Sequence, residues 1–132
     1  MDFGWTQQQL DFRGAVISFA GAVLAGGDGS LEWFRTAWRK CADFGIQGLP
    51  VASDFGGAAA SNLTVVAALE ALGYACSDNG LIFSLNAHMW ACQYPIAQFG
   101  NQEQKAQYLA GFVMALLSVL TPCRSLAPAQ MP

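Results

Sequence analysis

Charge is scarce in this chain. Asp, Glu, Lys and Arg make up 11% of its 132 residues, against 54% hydrophobic residues. Soluble domains usually carry about 25% charged residues, so part of this surface is expected to face other protein. The formal net charge of −3 leaves no basic footprint for nucleic acid, whose binders neutralise phosphates with Lys and Arg. Histidine occurs once, at His88, and the four cysteines (Cys41, Cys76, Cys92, Cys123) are scattered. No CxxC and no Cys–His pair stands at ligand spacing, which argues against a metal site. β-Branched residues are few and period-two alternation is missing, so no strand is expected. The longest apolar run, FVMALLSVL, is far short of the roughly 20 residues that cross a bilayer. There is no lysine-rich leader and no cleavage pattern. The expected location is therefore cytoplasmic, with reduced thiols, and the sequon Asn62-Leu63-Thr64 carries no meaning without secretion.

What is present is helical. Thr6 with Gln9 forms a capping box that opens a first helix, with Leu10, Ile17, Ala20 and Leu24 at helical spacing. GGDGS (26–30) ends it. Ser30 caps a second helix with Leu31, Phe34, Trp38, Cys41 and Phe44 on one face, and Gly45 stops it. Residues 46–61, with irregular Gly and Pro, form a structured loop. Ser61 begins a third helix to about Ala75, with Leu63, Val66, Leu69 or Glu70, Gly73 and Tyr74 in register. Asp78 and Asn79 cap a fourth, GLIFSLNAHMWACQY, which Pro95 should kink or restart. Gly100 ends the continuation, and Asn101 with Gln104 caps another helix. No internal repeat or flexible linker interrupts this order.

Motif chemistry is thin. His88 has no acid at i±4 to orient it, so a structural or half-exposed position, not a catalytic one, is expected. DFGGA (54–58) lacks the rest of a kinase signature. GGDGS follows no strand and precedes no GK[ST], so it is no phosphate loop. Glu70 and Asp54 are lone acids, expected to be solvated or capping. Trp33, Phe34, Trp38 and Phe44 read as core.

The order of features nevertheless resembles a family. Gly45, Pro50, Asp54-Phe55-Gly56-Gly57, then Glu70-Ala71-Leu72-Gly73, then Pro95-Ile96, Phe99-Gly100, Gln104-Lys105 and Tyr108-Leu109 are similar to the N-terminal helical domain of acyl-CoA dehydrogenases. The resemblance covers roughly residues 5–112. It departs where the usual acidic pair after Pro50 becomes Ala52-Ser53-Asp54. It implies an all-α bundle of five to six helices over 1–113. It also implies a longer parent, a homo-oligomer with a β-domain and a C-terminal helical bundle. The parent removes the α-proton of an acyl-CoA or acyl-carrier thioester with a glutamate and passes the β-hydrogen as hydride to FAD. By the same resemblance the catalytic base and most flavin contacts lie outside this chain, which is expected to bind no FAD and to be inactive alone. Its implied share is one wall of the acyl pocket: Phe83, Ser84, Ala87 and Ala91. Helical spacing puts 84, 87 and 91 on one face, which either packs inside the domain or meets the acyl chain. Phe83 and Trp90 would restrict such a pocket. A stand-alone helical interaction module, or a fragment of an acyl-CoA oxidase or flavin monooxygenase, remains open.

The last residues break the pattern. The family continues with a flavin-contacting stretch of the type T/S-E-P-G-A-G-S-D, which LTPCRSLAPAQMP (120–132) does not contain. Regrouping allowed codons of CRSLAPAQMP from the third base of each gives TCG GAG CCT GGC GCC GGC TCA GAT GCC, which reads S-E-P-G-A-G-S-D-A. One base lost near Val113–Met114 explains the break. Residues 114–132 are thus expected to be out of frame and to form an irregular tail or a short apolar helix.

Overall fold

The structure, a computed structural model, describes residues 4–114. The tail expectation therefore lies outside the described residues beyond Met114. Six α-helices follow in order: α1 (Gln7–Val23), α2 (Leu31–Phe44), α3 (Asn62–Ala75), α4 (Asn79–Asn86), α5 (Tyr94–Phe99) and α6 (Gln102–Val113). A 3-10 turn, Ser53–Phe55, sits in the loop after α2, and a π-helical stretch, Ala87–Gln93, joins α4 to α5. No strand occurs among the described residues.

The caps form where the side chains require them. Thr6 Oγ1 accepts from the Gln9 amide at 3.3 Å, and Gln9 Oε1 accepts from the Thr6 amide at 2.9 Å. Asn101 and Gln104 make the same reciprocal pair for α6 at 2.8 and 2.9 Å. Ser30, Ser61 and Asp78 cap α2, α3 and α4. Gly45 ends α2 in the left-handed region at φ 99°, and the Ile46 amide reaches back to the Cys41 carbonyl at 2.9 Å. Such a stop satisfies carbonyls the helix would otherwise orphan, in a conformation that costs Gly least.

The core lies among α1, α2, α3 and α4. Val16, Ala20 and Leu24 meet Val65, Ala68 and Leu72, with Trp38, Cys41, Ile46, Leu81, Leu85 and Met89 closing the cluster. The buried face of α3 differs from the register Leu63–Val66–Glu70–Gly73–Tyr74. Those positions are exposed, and of the two residues offered at the middle position Leu69, not Glu70, is buried, together with Val65, Ala67, Ala68, Ala71 and Leu72. The cause is composition: α3 is apolar on nearly every side, so its periodicity does not mark which side is inside. The helix ends depart too. Leu10 and Leu31 are 44% and 61% exposed, while Phe44, 38% exposed, stacks on Phe19 with ring centroids 4.2 Å apart.

The loop between α2 and α3 doubles back on itself. The Ala58, Ala59 and Ala60 amides donate to the Gly48, Val51 and Leu49 carbonyls at 2.9, 2.8 and 2.8 Å. Gly57 passes so close to Val51 that a Cβ there would overlap the Val51 carbonyl.

Candidate functional site

α4 and the π-helical stretch present two faces. The outward one carries the implied wall. Phe83 is 74% exposed, Ala91 is exposed, and Ser84 and Ala87 are half-buried between them. The four positions are thus side by side on the domain surface and not in the core cluster. Ser84 is the one polar group of the strip. Trp90 and Tyr94 flank its far end, with ring centroids 5.8 Å apart.

The inward face carries Leu81, Leu85 and Met89 and, beside them, buried polar side chains, which are unusual in a core. His88, Gln93 and, from the loop after α2, Gln47 are buried at 0%, 1% and 0% exposure. Gln93 Nε2 donates to the Gln47 carbonyl at 2.8 Å, and Gln47 Nε2 donates to the Trp38 carbonyl at 2.9 Å. His88 Nε2 lies 3.2 Å from the Phe112 carbonyl and 3.3 Å from Gln93 Nε2. A carbonyl only accepts and an amide nitrogen only donates. We assign the proton to Nε2, bonded to Phe112, because the other tautomer buries an unpaired N–H at Nδ1. Trp38 and Phe112 meet the imidazole edge-on, with centroids 5.1 and 5.0 Å away. Burial pushes the imidazole pKa below its usual value, and the Phe112 carbonyl opposes this in part. Trp38 Nε1, Gln47 Oε1, His88 Nδ1 and Gln93 Oε1 are buried without a partner.

The winding explains why His88 and Gln93 share this face. In an α-helix residues five apart stand about 140° apart. Here the Tyr94 amide bonds back to the Met89 carbonyl, an i→i−5 bond that brings them to one side. Pro95 follows directly. It has no N–H, and in α winding its ring would press on the Ala91 carbonyl, a conflict the wider turn relieves. The helix thus restarts at Tyr94 with the proline in its first turn.

Other candidates resolve into structure. Glu70 pairs with Arg13 at 3.5 Å, both partly exposed. Asp54 is exposed in the 3-10 turn. Trp38 is buried, whereas Trp33 and Phe34 are half-buried. A groove of about 400 Å³ runs between Asp54, Phe55 and Gly56 and the α6 residues Ala106, Ala110 and Val113. A second cavity of about 730 Å³ lies between the start of α1 and the loop 58–61. Among the described residues no cluster of His, Cys, Asp and Glu could hold a metal ion. No described helix is long and apolar enough to cross a membrane. Sequence reasoning missed Gln93, because a glutamine on an α-period outer face reads as solvated, and Gln47, because a glutamine in a Gly- and Pro-containing loop does too.

Comparison with known proteins identifies the domain. A family model described as "Acyl-CoA dehydrogenase, N-terminal domain" matches residues 6–115. An L-prolyl-[peptidyl-carrier protein] dehydrogenase from a Serratia species is 37% identical over 121 residues, covering 89% of this chain and 31% of that relative. The solved prolyl acyl carrier protein oxidase AnaB is 40% identical with a TM-score of 0.79, over 87% of this chain and 32% of that one. PigA with FAD and proline is 35% identical with a TM-score of 0.76, over 89% and 32%. The chain spans about a third of the length of these relatives.

Proposed function

Since the chain belongs to the acyl-CoA dehydrogenase family, as its N-terminal helical domain, we propose that it forms one wall of the acyl pocket in a longer flavin-dependent enzyme. That enzyme carries out α,β-dehydrogenation of an acyl thioester held on coenzyme A or on a carrier protein. Phe83, Ser84, Ala87 and Ala91 touch the acyl group. The observation that carries this reading is the outward strip of small side chains ending at Phe83, which is 74% exposed. Cover by a ligand or another surface would remove the exposed Phe83 ring and Ala91 from water. The carrier-bound prolyl group in the names of two relatives and the aromatic pair Trp90 and Tyr94 at the end of the strip support a compact acyl group.

FAD supplies the hydride acceptor in the longer enzyme. The strip itself is apolar apart from Ser84, which suits an acyl chain and offers no cradle for a pyrophosphate. By the family resemblance, in which the catalytic base and most flavin contacts belong to other parts of the longer enzyme, the chain alone is expected to retain no FAD and to oxidise no thioester. Gel filtration after mixing with excess FAD tests this: colourless protein is expected, and stoichiometric yellow protein with thioester turnover would overturn it. Residues 114–132 belong to the same proposal as out-of-frame sequence. Sequencing the DNA downstream is expected to show β-domain codons in the shifted frame, and their absence there refutes it.

A further inference from the structure

We propose that Gln93, together with His88, is a positioning residue for the acyl wall: the two side chains clamp the π-helical turn and so fix which residues of Ala87–Gln93 face outward. The proposal rests on the preceding reading for the role of the wall, but not for the existence of the clamp.

The clamp has two arms that leave the same turn for different parts of the fold. Gln93 donates to the Gln47 carbonyl in the loop after α2. His88 donates to the Phe112 carbonyl near the end of α6. Both side chains are buried, and both bonds close on backbone carbonyls, which no rotamer change elsewhere can withdraw. The arms are compatible only with the i→i−5 winding closed by Tyr94 and Met89. In plain α winding Gln93 would turn about 140° away from His88, leaving the Gln47 carbonyl unpaired. The same rotation would re-aim Ala87 and Ala91 relative to α5. The wall and the inner bonds are thus two faces of one register. Because Phe112 precedes the point where the chain leaves α6, the His88 arm also ties the wall to that exit.

The native cysteines report the register without an engineered probe site. Cys92 lies within the turn and is half-buried, whereas Cys41 and Cys76 are buried in the core. Burial pushes the Cys41 thiol up to about 12, so it reacts only on wide opening. The substitution Gln93→Met keeps the length and removes the amide. Iodoacetamide labelling of the full 132-residue chain, followed by peptide mapping, measures each thiol separately. The loss of a buried hydrogen bond favours local opening of the turn, and the expected result is about a tenfold faster rate at Cys92 with Cys41 and Cys76 unchanged. Equal acceleration at all three would show a merely structural role and overturn the proposal, as would no change at Cys92. Should the variant not fold, ¹⁵N NMR of the sole histidine in the unmutated chain decides. A neutral ring protonated at Nε2 is expected at neutral pH, and an Nδ1–H ring or an imidazolium overturns the clamp. None of these results depends on whether the outer face meets an acyl chain.

Discussion

Replacing Phe83 with Ser should weaken self-association of the isolated chain. Phe83 is 74% exposed, and a phenylalanine presents roughly 200 Å², so about 150 Å² of apolar surface stands in water. At about 25 cal/mol per Å², covering all of it is worth about 4 kcal/mol. A second copy meeting this face would cover about half, or about 2 kcal/mol, which corresponds to roughly a thirtyfold change in the association constant. Phe99 and Tyr74, 88% and 77% exposed, remain in the variant and hold some association. Sedimentation velocity over a concentration series measures the constant for both proteins. If the unmutated chain stays monomeric throughout, or if Phe83→Ser associates as tightly, the strip does not seek a cover and the reasoning fails.

Two further outcomes are expected. Gly57→Ala should lower stability by about 1–3 kcal/mol, the usual range for overpacking, because its Cβ would overlap the Val51 carbonyl and disturb the bond from the Ala59 amide. Chemical denaturation measures it, and a neutral result would show that the loop 46–61 gives way. Acidification should destabilise the fold through His88. Its folded pKa is depressed from the usual 6.5 by burial, so the unfolded chain binds the proton more readily. The contribution is full above pH 6.5 and is lost as pH falls from there through the folded value. In thermal melts across that window, His88→Gln should show a flatter dependence on pH, and identical slopes would contradict the assignment of a buried neutral ring.

Much of the fold was legible because its helix ends are written in side chains. Thr6, Ser30, Ser61, Asp78 and Asn101 all cap helices, and Gly45 stops one with a positive φ. Capping is local, so neighbouring residues suffice to read it. The orientation of α3 was not legible, since Val, Ala and Leu surround it and only packing against α1 chooses the buried side. The site was half legible. Ser84, Ala87 and Ala91 could be placed on one face by ordinary spacing, but their exposure is a tertiary fact. Gln93 was invisible because α periodicity separates it from His88. Pro95 was the available signal: a proline inside an apolar helical run calls for a local widening, and counting with that widening brings residues 88 and 93 together.

The central claim, that this domain supplies an acyl wall to a larger enzyme, is tested most directly by transplantation. Residues 6–113 would replace the matching domain of the Serratia prolyl dehydrogenase relative, and thioester oxidation would be followed for the chimera and its Ala87→Leu variant. The account predicts an active chimera in which Ala87→Leu raises KM about tenfold or more, since overpacking a fitted surface costs about 1–3 kcal/mol. An active chimera whose KM ignores Ala87→Leu would contradict it.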